Sequence, residues 1–433
     1  MPELELLDRM RSDWNARARE DVRYYVAFGR RGQQDEEFFA SAAGVVRQLE
    51  EELKRLPRET SPEARRALEV GCGPGRLLRP MSRNFGEIHG VDVSDEMIRL
   101  AEERFRGAAG IRLHATNGMD LAPLPSNYFD FIYSYAVFQH IPSHEVVLSY
   151  FGEMRRVLKD GGIARFQLNG LPPGAKTPDT WEGVRISRQE VADFARGNDL
   201  QLLALEGEGT QYMWTTWRKQ PGAWRSHLKN SGPEAVIERS GGAHTGEPVV
   251  PQSGRFAYAS FRLERLPNGC DLIGLEVKFD GIAGTPCYLG PPEWDGVVQL
   301  NVLVPPGVRT GVVPVELFWL GKPLCPLAWL RIIPPGPAVP RVCSVTDGTN
   351  LLAVSRVESG SLKLTLEDLS DAPAVRASLD GQPLEGIEWF EIDALAGRFE
   401  FNLRLPADVI PGGHQLELCQ GARRFPPIAI EVA

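Results

Sequence analysis

The spacing of apolar residues changes character near residue 220. Before that point, three- and four-residue spacing alternates with short continuous apolar runs, which predicts helices alternating with buried strands. After it, two-residue alternation and Pro/Gly turns predict strands almost exclusively. Residues 221–247, rich in Gly, Ser and Pro, separate the two patterns and are expected to form a linker. The sequence therefore predicts an α/β half followed by an all-β half.

The chain opens on an amphipathic pattern. Leu7, Met10 and Trp14 recur at three- and four-residue steps, which predicts a helix over residues 3–27. A second helix is expected over 35–55. Strands are expected at 66–71, 88–92, 111–115, 129–135, 162–168, 200–206 and 211–218, with a helix at 187–197.

The all-β half repeats itself. The segment that begins at Gly296 recurs at Gly397, an offset of 101 residues, and the Asp280-Gly dipeptide recurs at Asp380 within one residue of that offset. A unit of about 100 residues has the size of an immunoglobulin-like β-sandwich. We therefore predict two tandem sandwiches, at 248–337 and 338–433.

Charge and cysteine content narrow the function classes. The 48 Lys and Arg against 57 Asp and Glu leave a net charge of −9, which disfavours a nucleic-acid partner. No apolar run is long enough to predict a membrane span. The six cysteines lie far apart without metal-ligand spacing, so no metal site or disulfide framework is expected and a cytoplasmic location is the default.

Candidate chemistry is concentrated in a glycine-rich turn. An apolar strand from Ala67 runs into Gly71, Gly73 and Gly75 before a helix begins, and such a turn lets backbone amides approach a ligand closely. The spacing is G-x-G-x-G, because Arg76 stands where a dinucleotide fingerprint requires glycine. A nicotinamide dehydrogenase is therefore the weaker alternative.

Five segments in order extend this signal: 69–75, 90–97, 117–130, 131–141 and 153–162. Together they resemble the motifs of class I S-adenosylmethionine-dependent methyltransferases, of the type 11/25-like domain. The resemblance implies a Rossmann-like, doubly wound, seven-stranded sheet with an antiparallel last strand, in a domain spanning residues 1–220. It also implies S-adenosyl-L-methionine as the cofactor.

The resemblance implies a role for each motif. The glycine turn would expose backbone to the methionine part of the cofactor, Glu69 would favour its ammonium group, and Asp92 would accept both ribose hydroxyls. Asp92 could instead be a strand-end acid or helix N-cap. The implied cofactor-binding residues are Glu69, Gly71, Cys72, Gly73, Gly75, Asp92, Val93, Met97, Asn117, Gly118, Met119 and Tyr133.

The residues implied for the adenine part of the cofactor match the family less closely. Met97 could pack on adenine or belong to the core. Asn117 stands where the family usually has an acid, and its side-chain carbonyl could accept from the adenine amino group. Gly118 and Met119 would present backbone to the ring.

On the acceptor side, His140 is a candidate general base, because an imidazole suits proton removal near neutrality. The alternative is that it caps or orders the loop after the fourth strand. Tyr135 and Gln139 are expected near the acceptor.

Residues 1–57 resemble an N-terminal helical lid, with Trp14, Tyr24 and Tyr25 facing the site. A helix that simply packs on the sheet would explain the same apolar stripe.

The predicted activity is methyl transfer to an oxygen, nitrogen or carbon nucleophile of a small molecule, lipid or glycan. The alternative is a non-catalytic scaffold, in which the cofactor fold is retained as structure and the sandwiches bind protein or carbohydrate.

Overall fold

The computed structural model describes residues 2–27, 32, 34–174, 177–336, 339–349, 353–369, 371–393 and 396–433. The chain divides into two compact units. The first combines Met1–Ala16 with Ala42–Gly336, and the second combines Arg17–Ser41 with Pro337–Ala433. Within the described part of the chain, no helix has the length and apolar composition that crossing a membrane requires.

The helices follow the predicted periodicity, with two differences. They are α1 (Pro2–Ala27), α2 (Asp35–Ala40), α3 (Ala43–Glu52), α4 (Leu78–Met81), α5 (Asp95–Arg104), α6 (His144–Val157) and α7 (Arg188–Gly197), with 3₁₀ turns at Leu53–Arg55, Pro62–Ala64, Ser82–Asn84, Phe138–His140, Trp224–His227 and Ala372–Ala374. Asp21 interrupts α1 with a non-helical ψ of 87°. The single helix predicted over 35–55 is instead divided into α2, α3 and a 3₁₀ turn.

The α/β half contains one sheet whose strands run mostly in parallel. Its strands are β1 (Arg66–Val70), β2 (Glu87–Asp92), β3 (Ile111–Ala115), β4 (Phe129–Ser134), β5 (Leu158–Leu168), β6 (Leu200–Glu206) and β7 (Met213–Lys219). They pair in the order β3-β2-β1-β4-β5-β7-β6, and β7 is antiparallel to both of its neighbours. Because β1, β2 and β4 are parallel, the loops that follow them converge at one carboxyl edge of the sheet.

The remaining strands form the β-rich C-terminal region. They are β8 (Val236–Gly242), β9 (Val249–Pro251), β10 (Tyr258–Glu264), β11 (Leu275–Phe279), β12 (Ile282–Leu289), β13 (Val298–Leu303), β14 (Gly311–Trp319), β15 (Lys322–Pro323), β16 (Ala328–Ile333), β17 (Arg341–Asp347), β18 (Arg356–Val357), β19 (Ser361–Glu367), β20 (Val375–Leu379), β21 (Gln382–Pro383), β22 (Glu388–Asp393), β23 (Arg398–Arg404), β24 (Gly412–Gln420), β25 (Arg423–Arg424) and β26 (Ile428–Val432). The stretch 221–247, expected to be a linker, includes β8, which pairs antiparallel with β10. Composition missed this strand because its backbone pairing partner lies about 20 residues further along the chain.

The repeat seen in the sequence recurs as strand pairing. β16 pairs in parallel with β9, and β26 pairs in parallel with β18. The two Asp-Gly turns share one backbone conformation, with φ of 51° and 82° at Asp280 and Gly281 and of 49° and 82° at Asp380 and Gly381. Positive φ at both central residues defines the hairpin turn that Asp-Gly favours.

One apolar core extends from the α/β sheet into strands β8–β16, which we call the first β region. It contains both Trp217 of β7 and Trp319 of β14, and a backbone pairing of Tyr288 with Ala204 joins β12 to β6. In the second unit, a four-stranded sheet and a six-stranded sheet contribute apolar residues to a separate core that includes Leu364 and Leu418.

We expect Trp217→Ala to destabilise the first unit strongly. Trp217 is 1% exposed, and its ring lies 4.6 Å from Phe166 and 4.9 Å from Phe151, between ring centroids. Removing a buried indole should lower the free energy of unfolding by roughly 3–5 kcal/mol. Urea titration followed by circular dichroism measures the loss. Trp294→Ala is the control, because Trp294 is 85% exposed and its removal should change stability by less than about 0.5 kcal/mol.

Candidate active site

The glycine turn connects β1 to α4 at the carboxyl edge of the sheet. Gly71, Gly73 and Gly75 have φ of 73°, 51° and 90°, which only glycine adopts readily. A Cβ on Gly71 would lie 2.2 Å from Val137, and a Cβ on Gly75 would lie 2.2 Å from Phe105. Close packing against the chain itself therefore requires glycine at these two positions.

Glu69, near the end of β1, is a buried carboxyl directly before this turn. It is 3% exposed, and the Tyr133 hydroxyl donates to its Oε2 at 3.0 Å. Burial raises the pKa of Glu69 to about 8, although the Tyr133 hydrogen bond and the charge of Arg76 act to lower it. Burial also raises the pKa of the Cys72 thiol well above its ordinary value. Tyr133, predicted to bind the cofactor, is fully buried and orients Glu69.

Asp92, the last residue of β2, holds the glycine turn from the neighbouring strand. Its Oδ2 accepts from the Gly73 amide at 2.9 Å, and its Oδ1 accepts from the Ser94 amide at 2.9 Å. Burial raises the pKa of Asp92 to about 6. The N-cap of α5 is Ser94, whose hydroxyl accepts from the Met97 amide. The alternative that Asp92 caps this helix is therefore wrong.

The loop after β3 differs from the expectation for adenine. Asn117 Oδ1 accepts from the amides of Met119 and Asp120, both at 2.9 Å. Both lone pairs of this oxygen are therefore engaged in a local turn, and it cannot accept from an adenine amino group as predicted without breaking that turn. Gly118, with a φ of 87°, lies against Val93, which is 2.7 Å from the position its Cβ would take.

Met97 is 1% exposed on α5. This burial agrees with the core alternative for its side chain. The sequence could not separate the two roles, because an apolar side chain at this position suits either.

A stack of two aromatic rings between two guanidinium groups lies beside the glycine turn. The Arg76 guanidinium carbon is 5.6 Å from the centroid of the Tyr135 ring, which stacks on Trp214 at 5.6 Å and an interplanar angle of 3°. The Arg165 guanidinium carbon lies 4.9 Å from the Trp214 ring. Arg165 also donates to Thr216 at 2.9 Å. Sequence reasoning missed this stack, because its members come from four separate segments.

His140 lies in the 3₁₀ turn after β4, between two indoles. Its ring centroid is 5.3 Å from that of Trp14 on α1 and 5.8 Å from that of Trp181. Its Nδ1 donates to the Trp181 carbonyl at 2.7 Å, and its Nε2 lies 3.2 Å from Nε2 of Gln139. Both ring nitrogens are therefore engaged, and the ring is only 8% exposed.

The first part of α1 follows the same carboxyl edge. Asn15 Oδ1 accepts from the Ser94 hydroxyl at 2.7 Å and from the Glu96 amide at 3.1 Å. The Thr180 hydroxyl donates to Asp13 at 2.6 Å. These contacts link α1 to the N-terminus of α5, which begins just after Asp92, and to the segment between β5 and α7. Tyr24 and Tyr25, the other predicted lid residues, belong to the second compact unit, where their rings lie 5.2 Å apart.

Among the described residues, no group of three or more His, Cys, Asp or Glu is placed to hold a metal ion.

Comparison with known proteins identifies the family. Residues 68–166 match a family described as a methyltransferase domain. Over 183 residues the chain is 32% identical to a ubiquinone biosynthesis O-methyltransferase of Mesorhizobium japonicum, covering 38% of this chain and 71% of that protein. The chain belongs to the class I S-adenosylmethionine-dependent methyltransferases, whose cofactor is S-adenosyl-L-methionine.

Two further relatives match shorter stretches. A demethylmenaquinone methyltransferase of Staphylococcus carnosus is 34% identical over 102 residues, covering 23% of this chain and 41% of the relative. A trans-aconitate 2-methyltransferase of Afipia carboxidovorans is 30% identical over 118 residues, covering 27% and 42%. The chain thus spans about two fifths of the length of these two relatives.

The side chains at this edge fit such a cofactor. The Asp92 oxygens accept amide hydrogen bonds, among them those of Gly73 and Ser94, and keep lone-pair capacity for a ribose hydroxyl. Glu69 is a carboxyl that a nearby ammonium group would favour in its ionised form. The two acids stand at the ends of adjacent parallel strands, since Glu69 pairs with Gly90 in the β1–β2 register.

We expect Glu69→Gln to flatten part of the pH dependence of stability. The folded-state pKa of about 8 lies above the ordinary value of 4.5. Stabilisation tied to the protonated carboxyl is therefore complete below pH 4.5 and is lost as pH rises to about 8. Through this group the wild type should lose up to about 1.4 kcal/mol per pH unit in that window. Urea titrations across the window measure both proteins, and parallel curves would contradict the assignment.

Proposed function

We propose that this chain transfers the methyl group of S-adenosyl-L-methionine to an oxygen, nitrogen or carbon nucleophile of a small molecule, with lipids and glycans as wider acceptor classes. The observation that carries the proposal is a pair of carboxyls, the buried Glu69 and the half-buried Asp92, held at the ends of adjacent strands around the glycine turn. The names of the relatives given above also refer to small molecules: demethylmenaquinone, trans-aconitate and ubiquinone.

The proposed cofactor site consists of Glu69, the glycine turn and Asp92, with Val93, Gly118 and Met119 at the adenine end. The cofactor supplies an activated methyl group on a sulfonium. Asp92 would accept from the ribose hydroxyls, and the ammonium group would favour the ionised form of Glu69. Alignment of the acceptor with the methyl group and exclusion of water then supply most of the acceleration.

Asp92→Asn tests the site by calorimetry with the cofactor. Replacing the carboxylate by an amide removes charge-assisted hydrogen bonds, which should weaken cofactor binding roughly tenfold to a hundredfold. Asp95→Asn is the matched control, because Asp95 begins α5 three residues after Asp92 and its side chain is 63% exposed. Failure of the wild type to bind would overturn the proposed function, and unchanged binding by Asp92→Asn would overturn the site.

We propose that His140 orders the loop after β4 and does not remove the proton. Its Nε2 faces an amide nitrogen of Gln139 and its Nδ1 is bonded to a backbone carbonyl. Both ring nitrogens are therefore engaged within the protein and do not face the substrate that receives the methyl group. Acceptors that are nucleophilic without losing a proton, such as ionised carboxylates, suit this arrangement. Trans-aconitate is therefore a suitable first trial acceptor, with demethylmenaquinone as the second.

The two roles of His140 predict different kinetics. An ordering role predicts that His140→Asn, whose amide can still donate to the Trp181 carbonyl, keeps kcat within about tenfold, because general-base catalysis contributes roughly a hundredfold or more. S-adenosylhomocysteine release with a trial acceptor that the wild type methylates measures kcat across pH. A hundredfold loss, with disappearance of the acidic limb of the profile, would restore the base role.

We propose that residues 2–16 act as the inner part of a lid. The hydrogen bonds of Asn15 and Asp13 and the ring contact of Trp14 with His140 support this role, because all three reach loops of the carboxyl edge. The lid role of the rest of 1–57, including Tyr24 and Tyr25, stays a prediction, as do acceptor contacts by Tyr135 and Gln139.

We also propose that the β-rich region consists of two immunoglobulin-like sandwiches, 248–337 and 338–433, that follow a methyltransferase domain at 1–220. The repeated pairing and the matched Asp-Gly turns support this division. Contact with protein or carbohydrate is their proposed role. Six free cysteines, four of them buried, support a reducing cytoplasmic location.

A further inference from the structure

A single buried glutamine organises the loop that follows β4. Gln167 of β5 has no exposed surface, and its Oε1 accepts from the Ala136 amide at 3.0 Å. Its Nε2 donates to the carbonyls of Leu168 at 2.9 Å and Gln211 at 2.8 Å. Backbone amides can only donate and backbone carbonyls can only accept, so these partners determine which end of the Gln167 amide is oxygen.

The same amide determines the orientation of the next side chain. Gln167 Nε2 also lies 3.0 Å from Oε1 of Gln139. Three acceptors surround its two hydrogens, so one hydrogen is shared, and Gln139 accepts. The other end of the Gln139 amide, its Nε2, therefore points at His140 Nε2, 3.2 Å away. An amide nitrogen has hydrogens but no acceptor capacity, so His140 Nε2 must accept.

The contact of His140 Nδ1 independently indicates that the ring hydrogen is on Nδ1. Its Nδ1 lies 2.7 Å from the Trp181 carbonyl oxygen, which requires a hydrogen on Nδ1. The relay thus begins and ends on backbone groups, and every hydrogen bond in it has one possible direction. A hydrogen on Nε2 would place two donors face to face in a site where the ring is 8% exposed.

We propose that Gln167 is a positioning residue that, through Gln139, holds His140 as the neutral tautomer with its hydrogen on Nδ1. The importance of His140 rests on the proposed function, whereas the tautomer itself does not. Gln167 also holds Ala136 at a φ of 57°, next to Val137, which packs on the glycine turn. One side chain thereby sets both the cofactor side and the acceptor side of this loop.

The state of the ring can be measured without cofactor or acceptor. In full-length protein labelled with nitrogen-15 histidine, two-bond proton–nitrogen correlation spectra distinguish the two tautomers from the doubly protonated ring. His140→Asn identifies the His140 signals among the seven histidines. We expect a protonated Nδ1 and an unprotonated Nε2 at neutral pH. The opposite tautomer, an averaged mixture or a doubly protonated ring in the wild type would overturn the proposal, whether or not the protein methylates any acceptor.

Two variants test the direction of the relay. Gln139→Glu replaces the donor facing Nε2 by an acceptor, and we expect both ring nitrogens to become protonated. Gln167→Leu removes the group that orients Gln139, so that Gln139 Oε1 can also face Nε2 while Nδ1 stays bonded to the Trp181 carbonyl. We expect part of the His140 signal to become that of the doubly protonated ring.

Gln201→Leu is the matched control for the loss of a buried glutamine. Gln201 is 4% exposed on β6, and its amide donates to the Cys270 carbonyl, outside the relay. The His140 signals should be unchanged in this variant. Unchanged, wild-type His140 signals in Gln139→Glu would overturn the relay, and this test does not require Gln167→Leu to fold. An equal change of the His140 signals in Gln201→Leu and Gln167→Leu would also overturn it.

Discussion

The hydrogen bond from the Gly73 amide to the Asp92 carboxylate joins two neighbouring parallel strands at the edge where the chemistry is expected. It ties the turn after β1 to the last residue of β2 at 2.9 Å. The turn can lie close to this carboxylate because its glycines adopt positive φ values and have no side chains. A Cβ on Gly71 or Gly75 would collide with Val137 or Phe105. The proposed site depends on this hydrogen bond, since the loop packed on Gly71 takes its position from the turn that the bond holds.

Burial gives these acids their chemical character. The pKa of Glu69 is raised to about 8 and that of Asp92 to about 6, because neither carboxyl is well solvated as an anion. A bound cation such as an ammonium group would compensate for this burial at Glu69. Burial thus favours the neutral form of each carboxyl, and a positively charged ligand would favour the ionised form.

The first β region is joined to the α/β half through polar as well as apolar contacts. Arg55 follows α3, is 6% exposed, pairs with Glu52 at 2.6 Å and donates to the Leu289 carbonyl on β12 at 2.6 Å. Burial lowers the pKa of the neighbouring Arg218 to about 10. Separating the two parts would leave these buried charged groups without their hydrogen-bond partners, which is unfavourable. The shared core and these hydrogen bonds therefore make the first β region part of the same compact unit.

Local pattern was sufficient for the seven strands of the α/β half, the glycine turn and the repeat, because each depends on the spacing of residues along the chain. The engaged oxygen of Asn117, the strand β8 and the relay through Gln167 were not predictable in this way. Ala136 and Gln167 are 31 residues apart, and only the packing of β4 against β5 brings them together. The amino-acid pattern determines which segments become strands and where backbone must turn. The tertiary structure decides which lone pairs remain free, because a hydrogen bond's direction depends on the distant group that packing places opposite it.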